Sequence, residues 1–228
     1  MANPIGDKAT DKQEPTYYNR DFWGTENLKY VKVHFRMAKA ARIVRRLADG
    51  RECDLLDLGC GPGTLGRLLP GSVRYHGIDI AIQEPAPNLI EMDLLQSPIG
   101  FRDMKFDIIV AQGVFEYFGD RQAQKFAEIR SLLRPGGRFV VTYMNFAHHK
   151  RELYWPYSNV QQPAEFRRDL ERSFVIERTF PGAYNWNQSL PNRPLMKAAQ
   201  INLNVDIPVL STALGVDRFY ICSPRPVR

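Results

Sequence analysis

Cysteine is scarce in this chain, and its three copies, Cys53, Cys60 and Cys222, include no CxxC pair. An odd number of scattered thiols builds neither a disulfide framework nor a zinc site, so all three are read as reduced, structural residues. Long apolar runs are missing as well. A membrane-spanning helix needs roughly 20 apolar residues, and no stretch approaches that length. The N-terminus, "MANPIGDKATDKQEP", lacks the apolar centre of a secretory signal, so a cytoplasmic protein without membrane contact is expected. Internal repeats and low-complexity tracts are absent apart from that polar start.

What is present suits one globular domain. The 228 residues are 44% hydrophobic and 25% charged, enough to bury a sizeable single core with room for an appendage. The net charge of +6 belongs to one segment. Residues 26–49, "ENLKYVKVHFRMAKAARIVRRLAD", hold seven of the 31 basic and two of the 25 acidic residues, which leaves 24 against 23 elsewhere. Leu28, Val31, Phe35, Ala38, Ala41, Val44 and Leu47 recur there at helical spacing. Lys29, Lys32, Arg36, Lys39, Arg42 and Arg46 follow the same period, slightly out of phase. The spacing predicts one amphipathic helix with a basic flank, either a solvated face or a surface for RNA or an acidic substrate. His34, within it, is read as structural.

Apolar runs at 53–59, 73–80, 88–93, 106–113, 137–145, 174–180 and 217–223 read as strands. Helical stretches lie between them, notably "DRQAQKFAEIRSLLRPGG", where Phe126, Ile129, Leu132 and Leu133 form one face and Pro135-Gly136-Gly137 ends the helix. Alternation of this kind implies an α/β fold with a mainly parallel sheet of these seven strands and helices on both faces. A ligand then belongs at the first strand-to-helix loop.

That loop reads "LLDLGCGPGTLG". Gly59, Gly61 and Gly63 allow positive φ and let a ligand approach the main chain. Asp57 stands two residues before the first glycine, and Pro62 removes an N–H that a phosphate cradle would use. A carboxylate beside the loop repels a pyrophosphate and favours an ammonium group.

The stretch "LLDLGCGPG" resembles the first motif of the class I S-adenosylmethionine-dependent methyltransferases, small-molecule type. The likeness continues in order through "GIDI", "EMDLLQSP", "FDIIVAQGVFEYFGD" and "LLRPGGRFVVTYMN", over residues 53–145. It implies the Rossmann-like, doubly wound, mainly parallel seven-stranded fold and S-adenosylmethionine as cofactor, with Asp57, Gly59, Cys60, Gly61 and Gly63 around its methionyl part and Asp79 accepting from both ribose hydroxyls. By the same likeness Ile80 packs on the adenine, Asp93 and Leu94 meet its amino group and ring, and Gln112 borders the cofactor. Tyr117 stands where many members have histidine.

A sulfonium methyl group needs mainly orientation and a dry site, and only a nucleophile that carries a proton needs a base. His148 and His149 are the catalytic candidates, either as bases or as surface residues without a role, with Tyr143 and Asn145 as orienting groups. Neither an Asn/Asp-Pro-Pro-Tyr/Phe stretch nor a Pro-Cys nucleophile follows the fourth strand, and "TYMN" offers no acidic set for magnesium. No metal is expected. Insertions at about 146–172 and 181–216 bring Tyr154, Trp155, Tyr157, Tyr184 and Trp186 near the site, as an acceptor pocket, a dimer arm or plain packing. Part of the second, about 193–203, is expected to be helical.

The expected organisation is therefore an N-terminal polar segment and lid (1–25) followed by a methyltransferase domain (26–228). In the lid, "TYYNRDFWG" brings Tyr17 and Tyr18 to the acceptor, joining Tyr143, Tyr154 and Trp155 as substrate residues; docking as fixed core is the alternative. The expected function is methyl transfer to an oxygen or nitrogen of a small-molecule acceptor, in a monomer or homodimer without nucleic acid. An RNA methyltransferase using the basic helix, and a non-catalytic partner that retains the fold, are the alternatives.

Overall fold

Neighbouring residues of a strand point to opposite faces of a sheet, and here both sets are apolar. Leu56, Ile109, Phe139, Val141 and Tyr220 enter one core, whereas Leu55, Ile108, Val110, Val140 and Phe219 enter another. Such a sheet must be covered on both sides. The structure, a computed structural model, describes residues 19–101, 103–145, 160–182, 184–185, 200–201, 207, 215 and 217–226.

In chain order the elements are α1 (Arg20–Glu26), a 3₁₀ turn (Asn27–Val31), α2 (Phe35–Ala48), β1 (Cys53–Leu58), α3 (Thr64–Arg67), β2 (Val73–Asp79) and β3 (Leu89–Glu91). Then follow β4 (Phe106–Ala111), two 3₁₀ turns (Phe115–Tyr117 and Gly119–Arg121), α4 (Gln122–Leu132), β5 (Leu133–Met144) and α5 (Pro163–Ser173). The chain closes with β6 (Phe174–Pro181), β7 (Tyr184–Asn185), β8 (Gln200–Ile201) and β9 (Asp217–Pro224). Seven strands form one sheet in the order β3-β2-β1-β4-β5-β9-β6. The first five in sequence run parallel, and β9 lies antiparallel between β5 and β6. The expected α/β sheet with two covered faces is therefore present.

Each face is closed by helices whose apolar stripes match it. Ala40, Ala41, Ile43 and Val44 of α2 pack with Leu55, Leu65 and Ile108 on one side. Phe126 and Ile129 of α4, with Phe166 and Leu170 of α5, meet Leu56, Ile109 and Phe139 on the other. Strand order reverses at β1, because the chain runs outward to β3 and returns to place β4 beside β1. A crevice opens at that switch point, above the ends of β1 and β4. Among the described residues no helix is long and apolar enough to cross a membrane.

Two expectations about elements are corrected. The single helix over 26–49 is instead the end of α1, a 3₁₀ turn and α2, with Lys32 extended after the turn and His34 as the extended N-cap of α2. Leu28 and Val31 consequently leave the apolar stripe and are 58% and 51% exposed. The basic flank is also divided. Lys39 is buried and donates to the carbonyls of Pro181 and Gly182 at 2.9 and 2.6 Å, while Arg36 faces the crevice. Within the expected helix at 193–203, Gln200–Ile201 pairs as a strand with Tyr184–Asn185; residues 193–199 and 202–203 lie outside the described residues.

Candidate functional site

All six residues of β1 are buried, so Asp57 carries a carboxylate into the sheet. Beyond Leu58 the chain turns through Gly59, Gly61 and Gly63, whose φ values of 69°, 52° and 67° lie in the left-handed region. Gly59 is also demanded by space. A Cβ there would stand 2.3 Å from Cγ2 of Val114, in the loop after β4. The amides of Gly59 and Cys60 both donate to the Ile78 carbonyl, at 2.8 and 3.0 Å, which fastens the turn to β2.

Over this turn lies a cavity of about 540 Å³. Asp57, Gly59, Cys60, Gly61 and Asp79 form its floor, and Ile80, Met92 and Leu94 form an apolar ledge beside them. Gln112 borders it as expected. Phe22 and Trp23 of α1 close it from above, Trp23 edge-on to Tyr117 with ring centroids 5.7 Å apart. The segment carrying them is tied to the rim at several points. Asn27 donates to Asp79 Oδ1 at 3.0 Å and to the Ala81 carbonyl at 3.1 Å, Gln83 donates to the Gly24 carbonyl, and Thr64 donates to the Tyr30 carbonyl.

The acids differ in how fully they are partnered. Asp79 accepts from the amides of Gly61 (2.8 Å) and Ala81 (3.1 Å) as well as from Asn27; burial raises its pKa and these donors oppose the rise. Asp57 accepts from the Tyr75 hydroxyl at 2.7 Å through Oδ2, whereas no donor reaches its buried Oδ1. Burial pushes Asp57 up to about 7; the Tyr75 hydrogen bond opposes this and the charge of Asp79 adds to it. Burial likewise raises the Cys60 thiol, which rules out a thiolate there. An orphaned carboxylate oxygen beside a turn open to close approach fits a ligand that carries an ammonium group and hydroxyls.

Several expected site residues lie elsewhere. Gly63 starts α3 with its Cα facing Leu89 and Tyr75, and Asp93 accepts from the Leu95 amide at 2.8 Å in the turn after β3; neither is on the cavity wall. Tyr143 is corrected as a substrate residue. It is 0% exposed, stacks on Phe166 at 4.0 Å and donates to the Gln161 carbonyl, because its place in β5 faces the core under α5. Tyr17, Tyr18, His148, His149, Tyr154 and Trp155 lie outside the described residues. Conversely, Asn27, His34, Arg36, Glu116 and Asp217 line the cavity without having been expected there. Glu116 carried one usable signal, a lone acid in the apolar run "GVFEYF" directly after a strand.

A family model described as "Methyltransferase domain" matches residues 33–173, more than half of the chain. Malonyl-[acyl-carrier protein] O-methyltransferase from Acetivibrio thermocellus is 25% identical over 168 aligned residues, covering 67% of this chain and 53% of that protein. The chain thus spans about half the length of that relative. Among solved structures, a chain of the complex between the Haloferax volcanii Trm112 methyltransferase activator and a methyltransferase is 16% identical, with a TM-score of 0.62 over 91% of this chain and 96% of that one. The N-methyltransferase NodS from Bradyrhizobium japonicum, in complex with S-adenosyl-L-homocysteine, is 14% identical, with a TM-score of 0.54 over 90% and 99%.

Proposed function

Because this chain belongs to the family of S-adenosylmethionine-dependent methyltransferases with the class I, Rossmann-like fold, we propose that it methylates an oxygen or nitrogen of a small-molecule acceptor. The observation that carries this is one cavity, about 540 Å³, in which the glycine turn and two acids meet an aromatic cover. When bound, the cofactor supplies an electrophilic methyl group. Asp79 would hold the ribose hydroxyls, Asp57 Oδ1 and Gln112 the ammonium group, and Ile80, Met92 and Leu94 the adenine. Phe22 and Trp23 exclude water from above, which keeps the polar groups below strong. On this reading α1 is the described part of the lid, and Asn27 is its catch.

An RNA acceptor is less well supported. The basic flank that suggested it loses Lys39 to the core and Arg36 to the cavity. The test is to supply S-adenosylmethionine carrying a labelled methyl group to purified protein with, separately, a deproteinised extract below about 1 kDa, total RNA and total protein. Label is expected in the small-molecule fraction. Label confined to RNA or protein overturns the proposal.

Asp57 gives a pH-dependent prediction. Its folded-state pKa is raised to about 7, so at pH 6 the free site holds it largely protonated. An ammonium group at Oδ1 favours the ionised form, so cofactor-product binding expels a proton near pH 6 and not above about pH 8. Calorimetry in two buffers of unlike ionisation enthalpy reads this directly. Asp57→Asn should abolish the buffer dependence, and equal heats for wild-type protein at pH 6 would remove Asp57 from the ammonium site.

A further inference from the structure

The cavity has a second end, away from the glycine turn, where three adjacent strands finish side by side. Glu116 follows β4, Met144 closes β5 and Asp217 opens β9, and all three residues line the cavity. Glu116 and Asp217 are each only 2% exposed. Carboxylates this deep require donors.

The donors present are too few. Glu116 Oε1 accepts from the Met144 amide at 2.9 Å, but Oε2 has no hydrogen-bond partner. Neither oxygen of Asp217 has one. Arg36 approaches with Nε 3.7 Å from Asp217 Oδ2, an ion pair too long for a hydrogen bond. Lys39, whose charge also acts on Asp217, donates to the carbonyls of Pro181 and Gly182. Gly182 itself is dictated by this arrangement. A Cβ there would stand 1.7 Å from Asp217 Oδ1, so the carboxylate occupies the room that a side chain would need.

Among the described residues, every unpartnered buried side-chain atom on the cavity wall is an oxygen. The complement is a ligand that brings several hydrogen-bond donors to oxygens that the Arg36 and Lys39 charges approach without bonding. A carboxylate acceptor would meet like charge twice, and an alcohol would bring one donor to three acceptors. An ammonium group brings up to three.

We propose that this end binds the methyl acceptor, and that the acceptor is an amine whose ammonium group is held between Glu116 and Asp217. The proposal rests on the methyltransferase reading and sharpens it from oxygen or nitrogen to nitrogen. Glu116 also prepares the nucleophile. One proton passes from the ammonium nitrogen to Glu116 Oε2, leaving a neutral amine with a free lone pair and a neutral carboxylic acid. Burial pushes Glu116 up to about 7, with Arg36 and the Met144 amide opposing the rise and Asp217 adding to it, which brings it towards the range of an amine. Phe22, Trp23, Phe35 and Tyr117 wall the same cavity, so an aryl group on the amine finds apolar contact.

The experiment titrates phenethylamine and tryptamine, and the alcohol and carboxylate of matching skeleton, into protein saturated with S-adenosyl-L-homocysteine. An amine is expected to bind at least about tenfold more tightly than its matched alcohol and carboxylate. Glu116→Gln and Asp217→Asn, which keep shape, should each weaken that amine about tenfold while the homocysteine product binds within about twofold of wild type. Should Glu116→Gln fail to fold, Asp217→Asn decides alone. The proposal is overturned if neither amine outbinds its counterparts, or if the folded variants hold it as well as wild type does. Absence of product binding in wild-type protein would instead fell the methyltransferase reading, and this one with it.

Discussion

Replacing Phe166 by alanine should lower the midpoint of thermal unfolding by on the order of 10 °C, because it costs about 3–5 kcal/mol in a chain of this size. Phe166 sits where α5 meets the sheet, wholly buried. It stacks on Tyr143 with centroids 4.0 Å apart and packs edge-on to Phe126 (5.6 Å) and Phe115 (5.9 Å). Residues from three neighbouring elements therefore lose contact together, and the rings around the gap are too rigid to refill it. Calorimetric unfolding of Phe166→Ala against Phe166→Leu measures the effect, the leucine variant losing markedly less. A shift below about 3 °C for the alanine would mean that α5 is a loosely held accessory.

That expectation bears on what the sequence revealed. The strands were legible because β1, β4 and the Phe139–Tyr143 part of β5 are buried on both faces and so read as apolar runs; the helix expected to run to Pro135-Gly136-Gly137 instead ends at Leu132, and Leu133 and those three residues form the irregular start of β5. Helix α5 was harder. Only Phe166 and Leu170 are large apolar residues in "PAEFRRDLERS", too few to outweigh its charge, and it fell within a supposed insertion at 146–172. Its real credentials are positional: a proline in the first turn and a capping box between Gln162 and Glu165. Periodicity also misled over 26–49, where Leu28 and Val31 hold helical spacing without sharing a helix with Val44. Spacing records which residues could share a face, and the extended backbone at Lys32 and His34 breaks the phase.

Half of the site was legible for a different reason. The glycine turn and Asp57 are contiguous, so one stretch of chain carries their geometry. Glu116 and Asp217 are 101 positions apart and meet only because β9 inserts beside β5, a pairing that no local pattern encodes. Asn27 and Asp79 are separated in the same way, by 52 positions. Contacts of that kind are properties of topology, and they make up the Glu116–Asp217 end of the cavity and its cover.

The contact between Asn27 and Asp79 gives Asp79→Ala two separate consequences. The first is on the order of a 100-fold loss of affinity for S-adenosyl-L-homocysteine, since two hydroxyl donors lose a charged acceptor and each such bond contributes about 1.5–3 kcal/mol. The loss is deepened by the free site. Asp79 also receives the Gly61 and Ala81 amides, so its removal strands two buried donors and loosens the turn that must receive the ligand. The second consequence is at the cover. Asn27 keeps only the Ala81 carbonyl, and amides of the segment from Arg20 to Val31 should exchange with solvent faster than in wild type, with or without ligand. Asp79→Asn separates the two effects: it preserves the shape while removing the charge, so it should bind poorly yet keep the cover closer to wild-type protection. Calorimetry and hydrogen exchange on both variants, each first shown to unfold cooperatively, provide the measurement. Affinity within about threefold of wild type in a folded Asp79→Ala protein would move the ribose away from Asp79. Unchanged exchange in Arg20–Val31 would show that Gln83, Thr64 and the rings of Phe22 and Trp23 hold the cover without the Asn27 catch.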